Sequence, residues 1–175
     1  DVYKRQGVGF SPDWMWVKDR IAANNHVLVD TVRGISNLLY SNTNGADVTG
    51  ASQISAVGTD GFTIGATTYM NENGSSNTYV GWNWKAGGTP TANNSESSGD
   101  VPTAGSVKID GVNLATGLQG SLPATRLSAN TKAGFSIVTY TGNNSDGATV
   151  AHGLTQKLDA LFIKKRADNS SSGNT

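Results

Sequence analysis

Two short tryptophan motifs carry the side chains of this sequence that are best suited to bind a ligand. Trp14 and Trp16 form one Trp-x-Trp pair, and Trp82 and Trp84 form another around Asn83. In a β-strand, side chains two residues apart project from the same face, so each pair presents both rings together. An outward-facing pair could stack on the apolar faces of sugar rings. The candidate carbohydrate-binding residues are therefore Trp14, Trp82, Trp84 and Asn83.

Residues suited to acid–base catalysis are few. The histidines are His26 and His152, and the glutamates are Glu72 and Glu96. A glycosidase needs two carboxyl groups held rigidly at a separation of about 5 to 9.5 Å, and no such pair is evident. His26 and Asp30 lie four residues apart, too far for a direct hydrogen bond along a strand. The sequence therefore predicts no catalytic residues, and we expect a protein that is not an enzyme.

Three loops carry oxygen ligands of the kind that Ca²⁺ prefers. They are TNGAD (residues 43–47), NENG (71–74) and GNNSDG (142–147). None follows the twelve-residue calcium-loop pattern with its terminal Glu. Asp and Asn beside Gly are also typical of turns, and we favour that interpretation. No cofactor and no metal ligand is assigned, and Ca²⁺ is the one ion that these loops would suit.

The charge and composition exclude several classes of partner. The chain has 175 residues with 13 basic and 13 acidic side chains, so its formal net charge is zero, and it has no cysteine. Nucleic-acid binders and polybasic membrane-surface proteins depend on concentrated positive charge, which is missing here. No apolar run approaches the ~18 residues that span a bilayer. We expect neither nucleic-acid binding nor membrane insertion.

The elements that must position these residues are predicted to be strands. Gly, Ser, Thr and Asn separate short β-branched or aromatic runs, a pattern typical of an antiparallel β-sandwich or barrel. Residues 34–42 are ambiguous, because Ile35, Leu38 and Leu39 have helical spacing whereas Tyr40 and the flanking Gly and Asn fit a strand or an irregular turn. Residues 67–88 fit two strands around a loop, and residues 114–127 fit an irregular connection. Further strands are predicted at residues 13–20, 24–33, 59–66, 106–112 and 135–141. A weaker strand is predicted just before residue 153, and another strand within 153–166.

One phrase occurs twice in the chain. GVGFSPDWMWVKDR (residues 7–20) aligns without a gap with GLTQKLDALFIKKR (residues 153–166), 146 positions later. Gly, Asp, Lys and Arg are identical at four positions, and the apolar centre is kept. Trp16 aligns with Phe162, whereas Trp14 aligns with Ala160, so we expect Trp14 at the surface and Trp16 in the core. If both tryptophan pairs face inward, all four rings are core residues.

The repeated phrase predicts a fragment of a tandem-repeat protein. Residues 1–6, DVYKRQ, resemble a peptide that recurs at the start of unrelated translated metagenomic fragments, and we interpret them as a sequencing-adapter scar. Residues 7–88 are predicted to be a first β-sandwich module without its N-terminal hairpin. Residues 89–130 are predicted to be a linker or irregular connection. Residues 131–175 are predicted to begin a second, truncated module.

Five stretches together resemble an uncharacterised repeat domain of marine bacteriophage and metagenomic proteins that are described as tail, fibre or structural proteins. They are GVGFSPDWMWVKDR, HVLVDTVRG, TDGFTIGA, TYVGWNWKAGG and GFSIVTYTGNNSDGATVAHGL. The second copy of the phrase departs from the pattern because it lacks the Pro of FSPDWMW, and the 89–130 insertion is longer. The family assigns no active site, so no functional residue carries over.

The resemblance implies a jelly-roll or concanavalin-like β-sandwich that is repeated along a virion protein. The expected function is a non-enzymatic module of a phage tail or fibre, located in the virion or outside the cell. Its expected partners are cell-surface carbohydrate and other virion proteins or further copies of itself. The alternative is a carbohydrate-binding, lectin-like module of a secreted multidomain protein.

Overall fold

The described part of the chain is built from strands. The computed structural model describes residues 3–67, 69–72, 76–95 and 100–167, with side chains from residue 7 onward. The described residues form eleven strands and no helix. In chain order these are β1 (Tyr3–Gln6), β2 (Trp14–Asp19), β3 (Val27–Asp30), β4 (Leu38–Tyr40), β5 (Ile54–Gly58), β6 (Gly61–Ile64), β7 (Tyr79–Trp84), β8 (Val107–Ile109), β9 (Val112–Asn113), β10 (Ala124–Asn130) and β11 (Phe135–Tyr140).

Two antiparallel sheets share the larger hydrophobic core. Sheet I has the strand order β1-β6-β5, and sheet II has the order β4-β3-β2-β7. Met15 and Val17 on β2 alternate with half-buried residues, so one face of this strand is fully covered. That face packs with Phe62 and Ile64 of sheet I in one cluster. Because side chains alternate between the two sides of β2, one side of this strand faces the core and the other faces outward.

A third sheet has its own core. Sheet III has the order β11-β10-β8-β9, in which β10 pairs with β8 in parallel and with β11 in antiparallel fashion. Val107 and Leu127 lie at the centre of its hydrophobic cluster. Residues 87 and 88, which follow β7, approach this sheet closely, and the Ser128 hydroxyl donates to the Gly88 carbonyl at 2.7 Å. Sheet III is thereby fastened to the end of β7.

The all-β class predicted from the sequence is confirmed. The strands predicted around β2, β3, β6, β8 and β11 are present. Of the two strands predicted over residues 67–88, β7 is present, whereas the described residues before it form only an isolated bridge between Thr67 and Asn71. The ambiguous segment 34–42 contains β4. The prediction of an irregular connection over 114–127 is wrong in its last part, because β10 begins at Ala124. Sheet III places β8, β9 and β10 within residues 89–130, and the division into modules stays a prediction.

The second copy of the repeated phrase differs from the first. No strand forms over residues 153–166, although the sequence predicted one, and Leu161, Phe162 and Ile163 are exposed. The weaker strand expected just before residue 153 is reduced to an isolated parallel bridge between Leu122 and Val150. Tyr3–Gln6 pair with β6 as an edge strand. Their assignment to an adapter scar stays a prediction.

Within the ranges that the structure describes, no helix is long and apolar enough to cross a membrane.

Candidate functional site

The four tryptophans lie on one face of sheet II. β2 and β7 pair in antiparallel register, with Trp14 opposite Trp84 and Trp16 opposite Trp82. Directly opposed residues of an antiparallel pair project to the same side, so the two Trp-x-Trp motifs form one row. Met15 lies between Trp14 and Trp16 in the sequence and faces the core, so the row is on the outer side of the sheet. We call this row, Trp14, Trp16, Trp82 and Trp84, the aromatic face.

Ring contacts run continuously along the aromatic face. The ring centroids of Trp14 and Trp84 are 4.5 Å apart, those of Trp16 and Trp82 are 5.3 Å apart, and those of Trp14 and Trp16 are 6.3 Å apart. All three distances lie in the range in which aromatic pairs attract one another. The indole Nε1 of Trp16 is buried without a hydrogen-bond partner among the described residues. Ring–ring contacts and the hydrogen-bonded pairing of β2 with β7 therefore fix the positions of the four rings.

One end of the aromatic face is covered by sheet III. The ring of Phe135, on β11, is 5.6 Å from that of Trp14 and 5.9 Å from that of Trp84, with interplanar angles of 20° and 21°. At the other end Trp82 is 44% exposed. The sequence predicted Trp14 at the surface and Trp16 in the core. In the structure both rings are half-buried, and both lie on the outer side of the sheet. Trp82 is therefore the open ring.

Asn83 lies on the opposite side of β7 from the rings. It pairs with Met15 in the β2–β7 register, and that position faces the core. Its Nδ2 is 3.5 Å from the carbonyl of Gly81, and its Oδ1 is buried without a hydrogen-bond partner among the described residues. The structure therefore brings Trp14, Trp82 and Trp84 together and separates Asn83 from them.

Phe135 is the residue of this site that sequence reasoning missed. Residues 135–141 were predicted to be a strand, and alternation places Phe135 and Ile137 on one face of it. Local alternation does not reveal which other sheet that face contacts. The contact between Phe135 and Trp14 joins two sheets through residues far apart in sequence, so no short-range pattern could have found it.

The pair of residues considered for acid–base chemistry is used structurally. Asp30 forms an ion pair with Arg33, with a distance of 2.6 Å between Oδ2 and Nε, and it also accepts the Arg33 N–H at 2.7 Å. Arg33 donates in turn to Asp47 at 2.9 Å. The backbone N–H of His26 donates to the Asn42 side chain. The carboxylate of Asp30 is therefore neutralised by an arginine. Glu96 lies outside the described residues.

The loops considered for Ca²⁺ hold their oxygens in internal contacts. Asp47, in TNGAD, accepts from both Arg33 and Arg166. The Asn143 side chain accepts the Ser145 N–H at 3.0 Å, as in an Asx turn. Residues 73 and 74 of NENG are outside the described part. The described residues contain no group of three or more His, Asp or Glu side chains that could hold a metal ion.

A buried carboxylate orders the loops next to the open end of the aromatic face. Asp19, the last residue of β2, is fully buried. It accepts the N–H groups of Ile21 at 2.9 Å and Ala22 at 3.0 Å, and amide N–H groups of Asn24 and Asn77 at 3.0 and 2.9 Å. Burial raises the pKa of Asp19, but these hydrogen bonds and the nearby Lys18 outweigh it, so its pKa lies below the ordinary value.

Asp19→Asn is expected to lower the free energy of unfolding near pH 7 by about 2 kcal/mol, because four partly buried hydrogen bonds lose their buried, charged acceptor. A folded-state pKa below the unfolded value of about 3.9 stabilises the protein above that pH, and the stabilisation is lost as the pH falls through the folded pKa. Urea unfolding at pH 7 and pH 2.5 measures both effects. Asp146→Asn, in an exposed turn, is the control, and an Asp19→Asn deficit of equal size at both pH values would contradict the assignment.

Fold and site together define an all-β protein whose described residues form three sheets, with an aromatic surface on sheet II. The chain belongs to the family described as a domain of unknown function (DUF7483), whose model matches residues 2–173. No curated protein and no solved structure shows significant similarity to the chain. The family description does not link the chain to phage proteins or to repeats, so both stay predictions.

Proposed function

We propose that this domain is a non-enzymatic structural module of a phage tail or fibre and that its aromatic face contacts host-surface glycans. The observation that supports the glycan contact most directly is the row of four tryptophans on the outer side of sheet II, with Trp82 44% exposed. The resemblance of the five sequence stretches to tail and fibre proteins supports the structural role. In this proposal the domain is a jelly-roll or concanavalin-like sandwich, located in the virion or outside the cell.

The geometry of the aromatic face supports a role in binding sugar rings by stacking. The C–H groups on one side of a pyranose ring form an apolar surface that an indole can cover. Trp82 and Trp16, 5.3 Å apart, offer two adjacent rings at the open end. Both belong to paired strands, so little conformational entropy is lost when a ligand binds. Such a surface suits weak, repeated contacts with a polysaccharide chain.

The alternative proposal is a lectin-like module of a secreted multidomain protein. The same aromatic face supports it, because the face needs no virion context to bind a sugar. The complete gene distinguishes the two proposals. Further copies of the 146-residue period beside virion genes would support the appendage, whereas a single copy joined to a hydrolase domain would support the secreted lectin.

Trp82→Ala is expected to abolish measurable glycan binding while the protein stays folded. The unfolding midpoint should fall by only about 1 to 6 °C, because the lost Trp16–Trp82 ring contact contributes about 0.5 to 1.5 kcal/mol. Removing the open ring should weaken affinity at least tenfold, which corresponds to about 1.4 kcal/mol. A glycan array identifies the ligand, and titration calorimetry measures the change. Tyr140→Ala is the matched control, because Tyr140 is an exposed aromatic on β11. Absence of binding to any glycan, or equal affinity of Trp82→Ala and the unaltered protein, would refute the glycan contact.

A further inference from the structure

The second copy of the repeated phrase presents an unusual apolar surface. Leu161, Phe162 and Ile163 are consecutive and are 67%, 81% and 69% exposed. The backbone on either side is fixed. Leu154 packs against the core of sheet III, and Arg166 forms an ion pair with Asp47 at 2.6 Å. Three exposed large apolar residues on a tethered segment are typical of a surface that another protein part covers.

In the first copy of the phrase, the corresponding residues form a strand that is paired on both sides and buried on one face. Met15 and Val17, which align with Leu161 and Ile163, are 0% and 5% exposed. They lie on β2, which is hydrogen-bonded to β3 on one side and to β7 on the other. The glycine that opens each copy has a positive φ, 96° at Gly7 and 70° at Gly153. The first glycine of each copy therefore has a similar backbone conformation, but among the described residues only the first copy is paired with neighbouring strands.

We infer that residues 160–165, which align with β2, are a strand of a second domain of this kind, and that the rest of that domain packs on Leu161, Phe162 and Ile163. Leu161 and Ile163 enter the core of the second domain, and Phe162 joins its aromatic face in the position of Trp16. The occupant is a second copy of this domain, following in the same chain. The inference rests on the proposed structural role and not on the proposed glycan contact.

The cross-strand neighbours of the second copy follow from the β2–β7 register. Phe162 would lie opposite the second domain's counterpart of Trp82, and the small Ala160 opposite the counterpart of Trp84. Aromatic cross-strand pairs of this type stabilise antiparallel sheets. Residues 149–152 stand at the same offset from β1 and would pair with the second domain's β6.

One position departs from the first copy. Lys165 stands where the first copy has Asp19, whose carboxylate accepts four hydrogen bonds from the residues that follow it. If the residues that follow Lys165 in a second domain were the same as those that follow Asp19 in the first, their N–H groups would lack this acceptor. An engineered second domain that reuses residues 21–152 needs Lys165→Asp to restore it.

The test is a chain in which residues 1–166, with Lys165→Asp, are followed by a second copy of residues 21–152. Hydrogen exchange of the amides of residues 160–164 is expected to slow at least ~100-fold relative to the original chain, because they become ladder amides. Leu161→Asp should lower the unfolding midpoint of the second domain, whereas Phe162→Asp should lower it much less. In the original chain both substitutions should be nearly neutral. Unprotected amides beside a folded second domain, or equal effects of the two substitutions, would overturn the inference.

A graft into the original chain keeps the inference testable if the tandem chain does not fold. Trp14→Ala, Met15→Leu, Trp16→Phe and Val17→Ile together give β2 the apolar centre of the second copy. If that sequence is a β2-type strand, the graft folds with β2 amides protected as before, and loss of that protection would overturn the inference. Neither measurement uses a glycan, so a failed glycan array leaves both results interpretable.

Discussion

Replacing Gly87 with alanine is expected to prevent sheet III from docking against the end of β7. An added Cβ would lie 2.3 Å from the Ala129 carbonyl oxygen and 2.6 Å from the Lys108 carbonyl oxygen. Both oxygens belong to the paired backbones of β10 and β8, which cannot move apart without breaking their ladder. Relief requires residues 87 and 88 to withdraw, which breaks the hydrogen bond from Ser128 to Gly88. We expect a loss of about 3 kcal/mol or more.

The loss should appear as a fall in melting temperature of about 6 to 12 °C, since 1 kcal/mol corresponds to about 2 to 4 °C in a chain of this length. Differential scanning calorimetry measures it. Gly142→Ala is the matched control, because a Cβ there meets nothing within 4 Å and its φ is not positive. Melting of Gly87→Ala within 2 °C of that control would show that the close approach is absent in solution.

The sequence predicted strands from short apolar or alternating runs between turn residues. β2 was found from its apolar run and β7 from its alternation, and the geometry of a strand placed the two rings of each Trp-x-Trp pair on one face. β10 was missed because Ala124–Asn130 contains small and polar residues, and its burial comes from partners on two other strands. Residues 158–163 show the converse case. Their apolar pattern predicts a strand, but an extended segment is ordered as a strand only when neighbours satisfy its backbone groups.

The candidate site could be predicted only in part for the same reason. Local spacing placed Trp82 and Trp84 on one side of β7 and Asn83 on the other. It could not show that Trp14 lies opposite Trp84, because that register joins distant segments. Nor could it show that Phe135 covers Trp14 and leaves Trp82 open. Residue type and period are local properties, whereas exposure depends on how sheets dock.

A single carboxylate holds the ends of three strands of sheet II together. Asp13, just before β2, is buried. Its Oδ1 accepts the Thr31 hydroxyl at 2.8 Å, after β3, and its Oδ2 accepts the N–H groups of Ala86 at 2.8 Å and Gly88 at 3.3 Å, after β7. The backbone adds a bond from the Asp13 N–H to the Trp84 carbonyl at 2.9 Å. Asp13 therefore fixes the covered end of the aromatic face.

Asp13→Ala is expected to lower the free energy of unfolding by about 3 kcal/mol or more, because two buried donors and one half-buried donor lose their acceptor at once. Asp13→Asn should cost less, since the amide oxygen can accept from Ala86 and Gly88 while its NH₂ group donates to the Thr31 hydroxyl, which can also accept. Thr31→Val removes one of the three bonds and should cost about 1 kcal/mol. Urea unfolding gives all three values, and hydrogen exchange at Ala86 reports the local loosening. An Asp13→Ala variant as stable as the unaltered protein would show that the Asp13 side chain is not needed to join the ends of β2 and β7.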